Sequence, residues 1–480
     1  MRKILPYSII VLCIPSCIFN FALANIQSKH TKLNFSQRAL TSDANPANTA
    51  LVVKRDDNHV MTGAMLNGTA SLEYGNLDEL FEAYNKLSGD FEQSEPPPGT
   101  PTNPIETPEL IDWDKLFETY PNLEDRLDIL KNEVVSLASL LALIATEGYG
   151  KAELGLEAPF LLSSDFYGGT VLLGTSYTGY SKAEGILEQI QFDAEQAKNE
   201  LMRIPDFDED DGIQELDLSA GLKMLYNPQN KGVKLIVTND SLLLVKSARI
   251  SKVNLSYSRA QYENDYGTLY WGVKPTYYNI GMTSLGVRIG DLEDAEAIFD
   301  DIKNGDYSYQ HGVDVDFGLS FSSNNYLIAG HLKNAIESDY RFPQIDRRRF
   351  NSPYVLQQLD KNERFTLERQ LTLQGALFSE DHKWSFSLEV DANAINDPML
   401  DKFQWLNFTA GYAADSWWLP SARVGFSRNL AGSELAYLNA GLTFMKFINL
   451  DVASTLDTVE IDGQDYMRGL SVSLGIQFDY

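Results

Sequence analysis

Cysteine is almost absent from the sequence. The two cysteines, Cys13 and Cys17, lie in the N-terminal stretch MRKILPYSIIVLCIPSCIFNFALAN, which begins basic, continues apolar and ends at the small residues Ala22-Leu23-Ala24. This order is typical of a secretory signal peptide, so we predict that residues 1–24 are removed by cleavage before Asn25. An exported chain that then lacks cysteine cannot be a disulfide scaffold, a thiol oxidoreductase or a thiolate-metal protein.

Two other interpretations of the N-terminus remain open. The apolar stretch could stay attached as an anchor helix, although the small-residue site and the polar stretch after it favour cleavage. A lipoprotein signal would instead end at Cys17. Pro15 is unfavourable in such a signal, and the largely apolar residues 18–21 would then open the mature chain.

Basic residues are also few. The sequence has 39 Lys and Arg against 67 Asp and Glu, which gives a net charge of -28. A chain of this charge repels the phosphates of nucleic acids and anionic lipid surfaces. We therefore expect no nucleic-acid partner.

Long apolar runs are missing after the signal peptide. The most apolar later segment, residues 134–145, is about a dozen residues long, whereas a transmembrane helix needs roughly 20. The composition, with 44% hydrophobic residues in 480, is too apolar for a disordered chain and too polar on average for a bundle of transmembrane helices. Composition alone therefore describes a soluble globular protein.

Catalytic and metal-binding patterns are missing as well. The five histidines are scattered without metal-ligand spacing. Residues 174–179 lack the G-x-S-x-G pattern because the second glycine comes one position late. The acidic run at 206–212 is similar to a calcium loop, but its glycine is also one position late and Asp217 stands where that loop needs Glu, so a solvated acidic loop is the simpler interpretation. We expect no enzyme activity, no metal and no cofactor.

Strict alternation dominates the second half of the sequence. In the last eleven residues every even position is apolar or aromatic and no odd position is. The even positions are Leu470, Val472, Leu474, Ile476, Phe478 and Tyr480. This period of two, which recurs from about residue 240 onward, predicts a meander of antiparallel strands. The positions from Val472 to Tyr480 also resemble the C-terminal insertion signal of bacterial outer-membrane barrels.

An antiparallel sheet with one polar face fits two architectures. A soluble sandwich or barrel would turn its apolar face inward, whereas a membrane barrel would turn it toward lipid. The predicted strands are about ten residues long or more and aromatic at their ends, as a tilted bilayer crossing requires. The opposite face carries charge, and we predict that Lys274, Glu389, Asp391 and Arg423 face the lumen. These features favour an all-β transmembrane fold, an antiparallel outer-membrane β-barrel.

The candidate strands can be counted along the chain. We predict one strand near 59–74, two between 150 and 182, and about eleven from 249 onward, which makes about 14 in total. The predicted barrel domain is 59–480, interrupted by a helical and acidic insertion at about 76–235. Residues 25–58 are predicted to be an N-terminal luminal or plug segment. Pro275 is expected to mark a bulge within its strand.

Several stretches of the sequence resemble the family of conjugative-transfer TraF-type outer-membrane barrels. They are Asn239–Ser247, Leu255–Ser258, Gly272–Tyr277, Phe386–Asp391 and Arg423–Gly432. The usual Asp-Leu-Asp pattern of the family is Glu389-Val-Asp here. The family name is borrowed from a conjugation protein with a thioredoxin-like fold, and a cysteine-free mature chain cannot perform that redox chemistry.

Asn45-Pro46-Ala47 resembles a segment of the long-chain fatty-acid transporter barrels that lies in the lumen near the hatch. This resemblance implies that Asn45, Pro46 and Ala47 form part of a hatch or plug. It favours a transport barrel for small molecules, hydrophobic ones included. The alternative is a non-conducting structural or docking component of an envelope or conjugation assembly, with the 76–235 insertion as its interaction module.

The predicted location is the bacterial outer membrane. The expected partners are outer-membrane lipids and lipopolysaccharide, the barrel-insertion machinery, and conjugation or envelope proteins. Arg347-Arg348-Arg349 could pair with lipopolysaccharide phosphates, although a plain surface turn explains this sequence more simply.

Overall fold

The computed structural model describes residues 45–52, 55–56, 59–60, 64–75, 149–186, 188, 199–200, 203, 212–218, 221–228, 232–291, 305–461 and 464–478. The predicted signal peptide, the predicted helices between 76 and 148, most of the acidic run at 206–212 and Tyr480 lie outside these residues. Within the described ranges, no helix combines the length and the apolar character needed to cross a membrane.

Fourteen antiparallel strands form a closed barrel, as predicted. They are β1 (Ala64–Tyr74), β2 (Tyr149–Phe166), β3 (Gly169–Ile186), β4 (Leu242–Asn264), β5 (Gly267–Arg288), β6 (Ser308–Ser322), β7 (Tyr326–Lys333), β8 (Gln370–Phe378), β9 (Trp384–Asp391), β10 (Trp405–Tyr412), β11 (Ser421–Asn429), β12 (Ala436–Phe444), β13 (Ile448–Thr455) and β14 (Gly469–Phe478). Each strand pairs with the next one along the chain, and β14 pairs with β1 from Gly469↔Glu73 to Phe478↔Ala64. This last pairing leaves the sheet without a free edge.

The two ends of the barrel differ in the length of their connections. At one end, which we call the short-turn end, tight turns such as 167–168 and 265–266 join the strands. The opposite, long-loop end carries the connections 75–148, 187–241, 289–307, 334–369, 392–404 and 456–468, together with one short connection, 430–435. Short turns on one side and long loops on the other are typical of outer-membrane barrels.

The wall is apolar outside and polar inside. On β8, Leu373 is 47% exposed, whereas the neighbouring Thr372 and Gln374 are buried against other inner residues. The same inversion holds on β9, where Leu388 points outward and Glu389 inward. Because successive side chains of a strand point to opposite faces, the alternation in the sequence becomes one apolar outer surface.

Aromatic rings gather on the outer surface near the short-turn end. Trp384 and Tyr412 lie with their ring centroids 4.9 Å apart, and Tyr257 and Trp271 at 5.7 Å. Trp418, in the connection after β10, is 83% exposed. Such rings are suited to the interface between lipid and water.

Pro275 does not mark the bulge that was predicted for its strand. Pro275 interrupts the pairing of β5 with β4 at residues 274–275, but the register is the same on both sides of the gap. Proline lacks the N–H that a ladder hydrogen bond needs, so the interruption requires no extra residue. The register shift lies instead between Leu269 and Tyr270.

Elements outside the wall are short. Arg55–Asp56 pairs with His59–Val60, so the first barrel strand begins later than predicted, at Ala64. Within the predicted insertion, β2 and β3 belong to the wall, and a separate three-stranded sheet consists of Gln214–Asp217, Leu222–Asn227 and Gly232–Val237. Among the described residues, the helices that lie at the lumen are α1 (Asn48–Val52) and α2 (Pro353–Asn362).

Candidate functional site in the barrel lumen

The segment that contains Asn45-Pro46-Ala47 lies inside the barrel. The Asn45 side-chain Oδ1 accepts a hydrogen bond from the Ala47 N–H at 3.0 Å, and the Asn48 N–H donates to the Asn45 carbonyl at 3.0 Å. These bonds form a turn that leads into α1. Asn45, Ala47 and Asn48 are fully buried. We call Asn45–Val52 the luminal segment.

Three wall side chains hold the luminal segment by hydrogen bonds. Ser258 of β4 donates to the Ala47 carbonyl at 2.8 Å, and Ser320 of β6 donates to Asn48 Oδ1 at 2.6 Å. The hydroxyls of Thr49 and Ser256 lie 3.2 Å apart. The segment therefore rests on β4, β5 and β6 without joining the sheet.

Two inward-facing glycines make room for this contact. A Cβ atom at Gly272 of β5 would lie 2.3 Å from the Pro46 carbonyl carbon. A Cβ atom at Gly318 of β6 would lie 2.2 Å from Asn45 Oδ1. Gly272 and Gly318 are paired across the ladder, so together they form one smooth patch that accepts the backbone of residues 46–47.

Lys274 and Arg423, two of the residues predicted to face the lumen, are buried on the inner wall and paired with acids. Lys274 Nζ lies 3.1 Å from Asp316 Oδ2 on the next strand. Arg423 makes two hydrogen bonds to the Asp451 carboxylate, at 2.5 and 2.6 Å, and a third to Thr443 Oγ1 at 2.9 Å. Such fork-to-fork pairing fixes the geometry of both side chains.

Glu389 and Asp391, the other two, accept hydrogen bonds from neutral groups. Glu389 accepts from Gln374 Nε2 at 2.7 Å and from Asn407 Nδ2 at 3.3 Å. Asp391 accepts from the Thr372 hydroxyl at 2.8 Å and from the Trp405 backbone N–H at 3.0 Å. These four side chains of the inner wall are therefore held by ion pairs or hydrogen bonds rather than standing as free charges.

The long-loop half of the lumen contains the connection between β9 and β10. Its Asp401 pairs with Lys182 of β3 at 2.6 Å and with Lys151 of β2 at 3.0 Å, and its Asp397 also pairs with Lys151. Lys246 of β4 donates to the Met399 carbonyl at 2.8 Å. We call residues 397–401 the latched loop, because lysines of three strands on the opposite wall hold it.

Apolar packing reinforces this arrangement. Met399 is fully buried in a cluster that includes Ile250 of β4 and Ile280 of β5. Phe342 and Phe365, from the 334–369 connection, belong to the same cluster. Two long connections thus fold inward onto an apolar patch of the inner wall.

Two lysines lower the pKa of Asp401 in the latched loop. Burial by itself would raise the pKa of Asp401, but the charges of Lys151 and Lys182 outweigh it and lower the pKa from 3.8 to about 2. A carboxyl whose pKa is lowered in the folded state stabilises that state above its ordinary pKa. The contribution is lost as the pH falls from about 4 toward about 2.

Replacing Asp401 with asparagine should therefore lower the melting temperature at neutral pH and reduce its fall between pH 4 and pH 2. Tryptophan fluorescence of the detergent-solubilised protein measures both effects. Asp265→Asn, in an exposed turn at the other end of the barrel, is the control and should behave as the wild type. Equal pH profiles for Asp401→Asn and the wild type would contradict this role.

The arginine triplet 347–349 contacts acids of its own chain. Arg347 pairs with Glu363 at 2.6 Å and also with Asp360. Arg348 pairs with Asp346 at 3.1 Å, and Arg349 lies 4.0 Å from Asp291. A phosphate would have to compete with these carboxylates.

The acids that pair with Lys274 and Arg423 were not among the residues predicted from the sequence. Asp316 and Asp451 occupy polar positions in strands where polar and apolar residues alternate. The alternation could therefore have predicted that both face inward. Lys151, Lys182 and Asp401 had no such signal as a group, because they meet only through closure of the barrel.

The solved structures that are similar to this chain include these three. The monoaromatic hydrocarbon channel TodX, as a deltaS2S3 mutant, is 8% identical, with 92% of this chain and 94% of that chain covered and a TM-score of 0.40. The transport unit of the autotransporter AIDA-I from Escherichia coli is 8% identical, with 95% and 100% covered and a TM-score of 0.27. A mutant Rh. blastica porin is 7% identical, with 87% and 100% covered and a TM-score of 0.25.

The chain matches no curated protein sequence. It does match the sequence profile of the family described as "F plasmid transfer operon, TraF, protein", over residues 44–391. This match begins at the luminal segment and ends at Asp391, the last residue of β9, so it spans most of the chain. The protein therefore belongs to the F plasmid transfer operon TraF protein family.

Proposed function

We propose that this protein is an outer-membrane β-barrel that passes small molecules, with the luminal segment as a hatch. An apolar outer surface with aromatic rings at one end supports insertion into a bilayer, because exposing it to water would be costly. In bacterial barrels the short turns face the periplasm, which places the luminal segment in the periplasmic half. The proposal includes no catalytic step.

The attachment of the luminal segment carries this proposal. Its contacts with the wall include side-chain hydrogen bonds to Ser256, Ser258 and Ser320, and residues 45–52 pair with no strand. A net contribution of about 1 kcal/mol for each bond is small enough for reversible release. A permanent structural plug would need stronger attachment.

The inner wall also offers a surface for hydrophobic solutes. Tyr278, Ile280 and Met282 lie at alternate positions on the inner face of β5 and pack in a cluster to which connections folded in from the long-loop end contribute. Movement of those connections would expose an apolar path to the lumen. This supports the inclusion of hydrophobic molecules among the solutes.

Solute uptake into liposomes tests the proposal. The full chain and a variant without residues 25–58 are reconstituted, and uptake of a neutral sugar and conductance in potassium chloride are measured. We expect low uptake for the full chain and a clear increase for the variant. A heat-dependent shift of migration in a detergent gel verifies that each form is folded.

Absence of uptake in both folded forms would contradict transport. It would favour the alternative, a docking component of an envelope or conjugation assembly, to which membership of the family also points. Outer-membrane lipids, lipopolysaccharide and the barrel-insertion machinery remain the partners that either role requires.

A further inference from the structure

A cavity of about 650 Å³ opens in the long-loop half of the lumen, apart from the luminal segment. It is lined by residues of β1, β2, β10, β11, β12 and β14, by the latched loop and the residues that follow it, and by residues of the connections before β12 and before β14. A volume of this size accommodates an organic molecule of moderate size. Among the described residues, no group of three or more His, Asp and Glu side chains could hold a metal ion.

Glu73 of β1 organises the polar side of the cavity. The Tyr149 hydroxyl donates to Glu73 Oε1 at 2.8 Å, and the Tyr437 hydroxyl donates to Glu73 Oε2 at 3.0 Å. Because both hydroxyl protons are directed at the carboxylate, the two phenol oxygens can only accept further hydrogen bonds. The three groups together offer lone pairs and negative charge.

Glu73 differs from the other acids of the cavity in the partners that hold it. The carboxylates are Glu73, Glu153, Asp397 and Asp401. The basic side chains are Lys151, Lys402 and Arg468. Lys151 is held between the two aspartates of the latched loop, and Arg468 Nε donates to the Tyr74 carbonyl at 3.2 Å. Lys182 also pairs with Asp401, at 2.6 Å, so two lysines face the two aspartates, whereas the hydrogen bonds of Glu73 given above come from neutral hydroxyls.

Aromatic rings complete the lining. Trp405 and Tyr437 lie with their ring centroids 5.9 Å apart at an interplanar angle of 63°. Phe403 also lines the cavity. A cation near aromatic faces is attracted by their negative π surfaces, and an apolar ligand body packs well against the same rings.

We propose that this cavity is a binding site for a small organic ammonium ion, with Glu73 as the residue that recognises the ammonium group. The N–H groups of the ligand donate to Glu73 and to the tyrosine oxygens, and its carbon body packs against the aromatic rings. This site does not require that the barrel conducts.

Three probes of similar shape test the proposal. They are 2-phenylethylamine, which is cationic at neutral pH, 2-phenylethanol, which is neutral, and phenylacetate, which is anionic. Calorimetry of the folded full chain in detergent measures the affinity for each. We expect the amine to bind at least about tenfold more tightly than the alcohol, which corresponds to a difference of about 1.4 kcal/mol in binding free energy. Phenylacetate should bind most weakly.

Variants locate the binding. Glu73→Gln should weaken the affinity for the amine about tenfold and leave that for the alcohol unchanged, whereas Glu263→Gln, which removes an exposed charge at the short-turn end, should change neither. If Glu73→Gln does not fold, Glu153→Gln measures the same loss of negative charge. The proposal would be overturned by equal binding of amine and alcohol or by a preference for phenylacetate. It would also be overturned if the folded variant that is measured, Glu73→Gln or Glu153→Gln, binds the amine as tightly as the wild type. Failure of solute uptake would leave it untouched.

Discussion

Replacing Gly272 or Gly318 with valine is expected to release the luminal segment and raise the conductance of the barrel strongly. At either position the new Cβ atom would lie within 2.3 Å of the segment: at 2.3 Å from the Pro46 carbonyl carbon for Gly272 and 2.2 Å from Asn45 Oδ1 for Gly318. The barrel wall is a paired ladder and cannot retreat, so the segment must move. Valine itself suits a strand, and the wall should stay intact.

The size of the effect follows from what holds the segment. Three side-chain hydrogen bonds at about 1 kcal/mol each amount to roughly 3 kcal/mol. Since every 1.4 kcal/mol is tenfold in an equilibrium, loss of these three bonds raises the population of the released state on the order of a hundredfold. Single-channel recordings in planar bilayers should show a matching increase in open time.

A matched control separates release of the segment from damage to the wall. Gly330→Ala places a Cβ on a neighbouring strand where the nearest atom, Leu373 Cδ2, is 3.8 Å away, and should leave conductance unchanged. The proposal that the luminal segment is a hatch would be disproved if Gly318→Val folds normally, shifts in a detergent gel on heating and still shows wild-type conductance.

Replacing Arg423 with methionine is expected to destabilise the barrel by about 3–5 kcal/mol, because the partner charge stays buried without compensation. Arg423 and Asp451 are both 3% exposed, and the guanidinium makes all three of its described hydrogen bonds to β12 and β13. The temperature at which the compact band disappears from a detergent gel should fall markedly. The pair thus holds three adjacent strands together.

Two further variants test this explanation. Arg428→Met removes an exposed arginine from the same strand and should change the transition little. The double variant Arg423→Met with Asp451→Leu removes both charges and should recover most of the stability, because a buried pair contributes far less than a broken pair costs. A double variant as unstable as the single one would show that packing, not charge, determines the loss.

The alternation in the sequence predicted much of this molecule. Side chains of a strand alternate between faces whatever its neighbours are, so positions such as Leu388 and Glu389 could be assigned to opposite faces of the wall. The number of strands followed from counting the alternating stretches. The inward positions of Lys274 and Arg423 followed from the same local rule.

The contents of the lumen could not be predicted in this way. The contact between Lys151 and Asp397 joins residues 246 positions apart, and the contact between Ser258 and Ala47 joins residues 211 positions apart. No local pattern encodes such pairs, because they depend on the register of every strand between them and on the closure of β14 onto β1.

The sequence by itself therefore determined the barrel, its two faces and the polar character of its interior, because the period of two is a local property of the chain. Only the tertiary structure decided which acid pairs with which base, that the 397–401 loop is latched across the lumen, and that a cavity lined by Glu73 lies beside it. These features arise when a closed sheet brings its opposite walls within contact distance of the segments folded between them.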